Sequence, residues 1–153
     1  MRVCAREATT LFAVRDRLRA LGCDVHARAL EDAGITLMKR ATILGGGMVG
    51  QAIAMDLVKS SFSVTVVDRS EEVLEAIARR WNAKTQRGDL LDAQALVDRT
   101  RDADVVVGAL PGALGFRTLS AMIEAKKSYV DISFMAEDPW VLSDRAKELG
   151  VAC

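Results

Sequence analysis

The chain has 153 residues, enough for one hydrophobic core and too few for two ordinary domains. Half of the residues are hydrophobic, and 21 basic side chains balance 21 acidic ones. No basic field is therefore present to draw nucleic acid or anionic lipid, and a small, neutral ligand suits the surface better. No apolar run reaches the ~18 residues of a membrane span, so a soluble, membrane-free protein is expected.

Residues 1–37 stand apart from the rest of the chain. Leu11, Val14, Leu18 and Leu21 share one helical face before Gly22, and Cys23 to Ala27 has the character of a strand, giving an accessory helix–strand extension. Its arginines have a transit-peptide flavour that Glu7 and Asp16 oppose. The three cysteines, Cys4, Cys23 and Cys153, are odd in number and widely spaced, which reads as reduced thiols in a cytoplasmic protein. His26 is the one histidine, so neither a histidine metal site nor a catalytic triad is expected, and no metal is assigned. Met38 is a natural start for the remaining domain, 38–153, and the extension is expected to be dispensable for its site.

From Lys39 the pattern alternates strand and helix. Ala41 to Leu44 is a short apolar strand that runs into Gly45-Gly46-Gly47-Met48-Val49-Gly50, a G-x-G-x-x-G turn opening a helix of about Met48 to Ser60. Val49, Ile53, Leu57 and Val58 are expected to face the sheet. Ser63 to Asp68 reads as a second buried strand, and its terminal acid lies near the ~20-residue offset expected of a group that binds a ribose hydroxyl. This is a dinucleotide fingerprint in its structural context: Gly45 for the tight turn, Gly47 for close approach of a diphosphate, Gly50 for helix–strand packing, and a helix N-terminus offering N–H groups. Ser70 caps the next helix, with Glu71 and Glu72 at its positive end and Arg79 and Arg80 at the other.

A third strand is expected to end near Asp89, where Gly88 to Asp92 turns into a helix carrying Leu96 and Val97. Asp89 reads from its position as a turn or helix-cap acid. Asp104 to Leu110 is an uninterrupted apolar fourth strand, broken by Pro111-Gly112. A helix of about Phe116 to Lys127 and a fifth strand, Tyr129 to Ser133, come next. Asp138-Pro139 starts another helix that Gly150 closes, and Val151 to Cys153 is read as the start of a sixth strand. The predicted fold is an α/β doubly wound parallel sheet of order 3-2-1-4-5, with 6 as an addition, and its ligand crevice lies at the switch between strands 1 and 4. Trp81 and Trp140, with Met48, Met55, Met122 and Met135, are read as packing side chains.

Four stretches together carry a resemblance: Ile43 to Gly50, Val67-Asp68-Arg69, Gly108 to Phe116 with its A-L-P-G, and Tyr129 to Pro139 with its D-I-S-F-M. The chain from Met38 to Cys153 resembles the saccharopine dehydrogenase-like oxidoreductases, in particular the lysine 6-dehydrogenase-like branch. The resemblance implies a Rossmann NAD(P)-binding domain of an enzyme that passes hydride between nicotinamide and the carbon of an amino acid's C–N bond. Gly45, Gly47, Met48, Val49 and Gly50 would then hold the diphosphate, Asp68 and Arg69 the adenosine end, with Asp89 accepting from the adenine amino group, and Ala109, Leu110, Pro111 and Gly112 the nicotinamide side.

Asp131 and Ser133 are the catalytic candidates, Ser133 the better placed to touch nicotinamide or substrate. Asp68 repels a 2′-phosphate, so NAD is expected, with NADP as the alternative through Arg69. The family's second domain closes over the substrate, so an amino-acid substrate is implied as a partner only where such a domain is supplied. A homodimer through the otherwise open crevice face is also expected. Two rivals remain: a regulatory nucleotide-sensing domain of the potassium-transport type, and a non-catalytic cofactor-binding remnant.

Overall fold

A computed structural model of the chain describes residues 39–153. The accessory helix and strand, His26, Cys4 and Cys23 lie outside the described residues. Five strands form one parallel sheet: β1 (Arg40–Leu44), β2 (Ser63–Asp68), β3 (Lys84–Arg87), β4 (Val105–Gly108) and β5 (Tyr129–Asp131), in the order β3-β2-β1-β4-β5. The connecting helices are α1 (Met48–Lys59), α2 (Glu71–Arg80), α3 (Ala93–Arg99), α4 (Gly112–Glu124) and α5 (Ser143–Leu149), the last preceded by a 3-10 turn at Pro139–Leu142. The order reverses between β1 and β4, so their carboxyl ends open a crevice there.

Two cores cover the sheet's two faces, and the strands supply them alternately because successive side chains point to opposite sides. Ile43, Val64, Val66 and Val107 join Ala54 of α1 and Leu74 and Ile77 of α2 in one core. Leu44, Val67 and Val106 join Leu96 of α3, Leu119, Met122 and Ile123 of α4 and Ala146 of α5 in the other. Burial on both faces explains why β1, β2 and β4 read as continuous apolar runs.

Local signals set the element ends. The Ser70 side chain accepts from Val73 N–H and caps α2, with Glu71 and Glu72 in the first turn and Arg79 and Arg80 in the last. Asp92 caps α3 by accepting from Ala95 N–H at 3.0 Å. Asp138 caps the 3-10 turn, and Gly150 ends α5 at φ 68°, a left-handed conformation that suits glycine.

Several expectations are corrected. β3 is Lys84-Thr85-Gln86-Arg87, a polar edge strand whose ladder partners are Thr65 to Asp68, so Asp89 lies two residues beyond its end. α4 starts at Gly112, four residues before Phe116, and stops at Glu124. Val151 to Cys153 is not a strand, although Tyr129 N–H donates to Ala152 O at 3.0 Å along the outer edge of β5. Met48 is 87% exposed and Trp140 80% exposed, so neither is core filler, and Val49 faces solvent rather than the sheet. Trp81 is half-buried against the β1–β2 core with Arg80 5.7 Å from its ring centroid. Among the described residues no helix is long and apolar enough to cross a membrane, and no cluster of metal-ligating side chains occurs.

Candidate functional site

At the switch between β1 and β4 lies a cleft of about 460 Å³, within the roughly 300–1,000 Å³ of small-molecule sites. Its lining includes Gly45, Gly47, Met48, Val49, Gly50, Asp68, Arg69, Asp89, Ala109, Leu110 and Pro111, with Leu90, Leu91, Leu114 and Ile132 completing it. Eleven of the twelve residues read as cofactor-binding from the sequence therefore share one wall system. Gly112 does not line the cleft. A Cβ there would come 2.0 Å from Phe134 O, so this glycine serves close packing of α4 on the segment after β5.

The glycine turn is a set of backbone contacts that side chains would break. Gly45 has φ +101°, and a Cβ on it would lie 2.4 Å from Ala109 O. A Cβ on Gly50 would lie 1.9 Å from Gly45 O, so α1 presses directly on the turn. Gly47 differs: nothing lies within 4 Å of its would-be Cβ, which would project into open space. Gly47 is also the N-cap of α1, and no side chain caps that helix. The first-turn N–H groups of Met48 and Val49 consequently lack intrahelical partners and, with the dipole's positive end, present an anion-binding surface.

Asp68 ends β2 with both carboxylate oxygens engaged. Oδ2 accepts from Gly46 N–H at 2.6 Å and Oδ1 from Ser70 N–H at 2.8 Å. The acid thus clasps the glycine turn as well as facing the cleft, and its remaining lone pairs can accept from a ribose hydroxyl. Gly46 is a position that sequence reasoning missed: a Cβ there would come 2.8 Å from Val73 Cγ1, and its O accepts from Gln51 Nε2 at 3.0 Å. Asp89 Oδ1 accepts from Leu91 N–H at 2.9 Å, and Leu90 and Leu91 line the same cleft as Asp68 and Arg69. The apolar pair inside the polar run Gly88 to Asp92 was the available signal for those two leucines.

Asp131 and Ser133 fall elsewhere. They line a second cavity of about 490 Å³ with Tyr129, Met135, Glu137 and Trp140, whereas Ile132 between them lines the cleft. Period-two alternation past the end of β5 separates them. Asp131 accepts from Tyr129 Oη at 2.6 Å and from Ser133 N–H at 2.5 Å. Burial, then the hydrogen bond to Asp131 and its charge, push the Tyr129 phenol well above the ordinary range, so it remains the donor. Ser133 Oγ is buried without a hydrogen-bond partner among the described residues.

The family profile described as the saccharopine dehydrogenase NADP binding domain matches residues 41–153. Alanine dehydrogenase of Halomonas elongata is 34% identical over 76 residues, which are 48% of this chain and 20% of that protein. Apo saccharopine dehydrogenase (L-Glu forming) from Saccharomyces cerevisiae superposes with a TM-score of 0.66 at 25% identity, over 74% of this chain and 26% of that one. Biliverdin reductase from Synechocystis, solved with biliverdin and NADP+, shares the fold at a TM-score of 0.59 and 20% identity, over 74% of this chain and 36% of that one. The chain thus spans about a fifth to a third of the lengths of these proteins.

Proposed function

Since the chain belongs to the saccharopine dehydrogenase NADP-binding domain family, we propose that it is the cofactor-holding part of a nicotinamide-dependent oxidoreductase acting on the C–N bond of an amino acid. The observation that carries the reading is the uncapped N-terminus of α1 facing open space at Gly47 inside a cleft closed on one side by Asp68. A diphosphate fits that space, where a Cβ would meet nothing and unpaired N–H groups converge.

In this reading Met48 and Val49 N–H groups hold the diphosphate, and Asp68 accepts from the adenosine ribose while fixing the turn. Leu90 and Leu91 flank the adenine, with Asp89 beside them. Ala109, Leu110, Pro111 and Ile132 form the apolar far end, where they shape a water-poor surface for the nicotinamide ring. The nicotinamide supplies hydride-transfer chemistry when bound, and this chain's residues bind and orient it. An amino acid of the lysine or saccharopine type is the proposed substrate class, with substrate positioned by protein outside these 153 residues; Asp131 and Ser133, which line the second cavity rather than the cleft, are given no catalytic role in this reading.

Calorimetric titration of the chain with NADH and NADPH tests the binding reading. A single saturable site that Asp68→Ala weakens is expected. Failure to bind either dinucleotide would overturn it.

A further inference from the structure

β5 is three residues long, and its ladder with β4 ends where Ile132 N–H donates to Gly108 O at 3.3 Å. Past that point no strand partner directs the chain. One carboxylate does so instead: Asp131 Oδ2 accepts from Tyr129 Oη at 2.6 Å, and its Oδ1 accepts from Ser133 N–H at 2.5 Å. The second bond closes a turn of the kind that aspartate makes with the N–H two residues on.

Both ends of this arrangement are anchored. Tyr129 is 1% exposed and belongs to the core under α3, α4 and α5, so its hydroxyl is a fixed donor. β4 makes room for the pair by ending in glycine: a Cβ on Gly108 would collide with Tyr129 Oη and come 2.8 Å from Asp131 Oδ2. On the other side Ser133 Oγ lies against Gly115 of α4, where a Cβ would collide with it, and it has no hydrogen-bond partner among the described residues. Ser133 therefore serves the turn through its backbone N–H rather than its hydroxyl.

Between the two bonded residues sits Ile132. Asp131 and Ser133 line the second cavity, whereas Ile132 lines the cleft with Ala109, Leu110, Pro111 and Leu114. It is 44% exposed, so packing fixes it only in part and the turn sets its direction. Branching at Cβ then stiffens the side chain. A ring that transfers hydride gains from such a wall, because misplacement by about 1 Å can cost on the order of a hundredfold in rate.

We propose that Tyr129 and Asp131 are positioning residues for the nicotinamide ring: neither lines the cleft, and together they hold Ile132 against the place where the ring lies. The inference rests on the dinucleotide reading above and adds to it a pair of residues that act from behind the cleft wall.

The test uses the full chain and two pairs of probes that differ by the nicotinamide ring: NADH with ADP-ribose, and NADPH with 2′-phospho-ADP-ribose. Each is titrated calorimetrically against the native protein, Asp131→Ala, Asp131→Asn, Tyr129→Phe, Ile132→Ala and the double variant Asp131→Ala with Ile132→Ala. Within whichever pair binds, Ile132→Ala and Asp131→Ala are each expected to weaken the ring-bearing probe roughly fivefold, the worth of one apolar contact, and to leave the ringless probe unchanged. Asp131→Asn is expected to restore the ratio, since its carbonyl oxygen can still accept from Ser133 N–H. The double variant should lose no more than Ile132→Ala alone, because Asp131 acts through Ile132. Far-UV circular dichroism checks folding, and Tyr129→Phe, which removes one hydroxyl, carries the comparison at roughly a threefold loss if Asp131→Ala unfolds. Unchanged ratios, equal losses for the ring-bearing and ringless probes, or additive losses in the double variant would overturn the positioning role and leave the dinucleotide reading standing. Failure of all four probes to bind the native chain would overturn both.

Discussion

Replacing Asp68 by alanine removes the acceptor of two backbone hydrogen bonds, from Gly46 at 2.6 Å and Ser70 at 2.8 Å. Hydrogen bonds to a charged group are worth about 1.5–3 kcal/mol each, and Asp68 is half-buried, so water recovers part of the loss; a net cost of about 2–4 kcal/mol is expected. That is a large share of the roughly 5–15 kcal/mol that holds a domain together. Urea unfolding followed by circular dichroism should show the midpoint falling by about 1–2 M at unchanged slope. Asp68→Asn keeps one acceptor oxygen of the same reach and should recover about half of the loss. A midpoint shift for Asp68→Ala worth less than about 0.5 kcal/mol, the usual effect of an uninvolved surface change, would refute the idea that this carboxylate holds the glycine turn.

Gly47→Ala places a methyl where nothing lies within 4 Å, so thermal stability should change by less than about 1 kcal/mol. Dinucleotide affinity measured by calorimetry should nonetheless fall about tenfold or more, because the methyl enters the diphosphate's space. Gly50→Ala drives a Cβ to 1.9 Å from Gly45 O and should cost about 1–3 kcal/mol or more in urea unfolding. Tyr129 is the only tyrosine, so its ionisation can be followed directly by phenolate absorbance. Its raised folded-state pKa leaves stability independent of this group below pH 10.0, the ordinary value for a phenol. Above that, the unfolded chain releases the proton while the folded chain keeps it, and stability should fall by up to about 1.4 kcal/mol per pH unit. Tyr129→Phe should remove that alkaline slope, and a phenolate titrating near pH 10.0 in the native protein would contradict the Asp131 contact.

The sheet was legible where burial on both faces imposed a signal. β1, β2 and β4 are apolar runs because each supplies two cores, and the glycine turn is readable because backbone contacts at Gly45 and Gly50 exclude every side chain. β3 was not, since Lys84-Thr85-Gln86-Arg87 sits at the sheet's edge with ladder hydrogen bonds to β2 and little apolar burial to mark it. The exposure of Met48 and Trp140 was also hidden: both residue types are common in cores, and only the position of α1's first turn in the cleft and of the 3-10 turn at the surface sends them outward. Asp131 ends β5, whereas Ser133, read as part of that strand, lies two residues beyond it, and which side of the sheet each one faces depends on the pleat. That one-residue phase assigns Ile132 to the cleft and its neighbours to a second cavity.

In the proposed complex a dinucleotide lies across the carboxyl ends of β1 and β4 with its diphosphate on the first turn of α1. Amide NMR of the isotope-labelled chain during titration with NADPH tests this residue by residue. The largest shifts are expected at Gly46, Gly47, Met48 and Val49, with smaller ones at Arg69, Leu91 and Ala109 and little change at Val130 or Trp140. Shifts centred instead on Ser133 and Trp140, with Met48 and Val49 unmoved, would place the ligand in the second cavity and contradict the account.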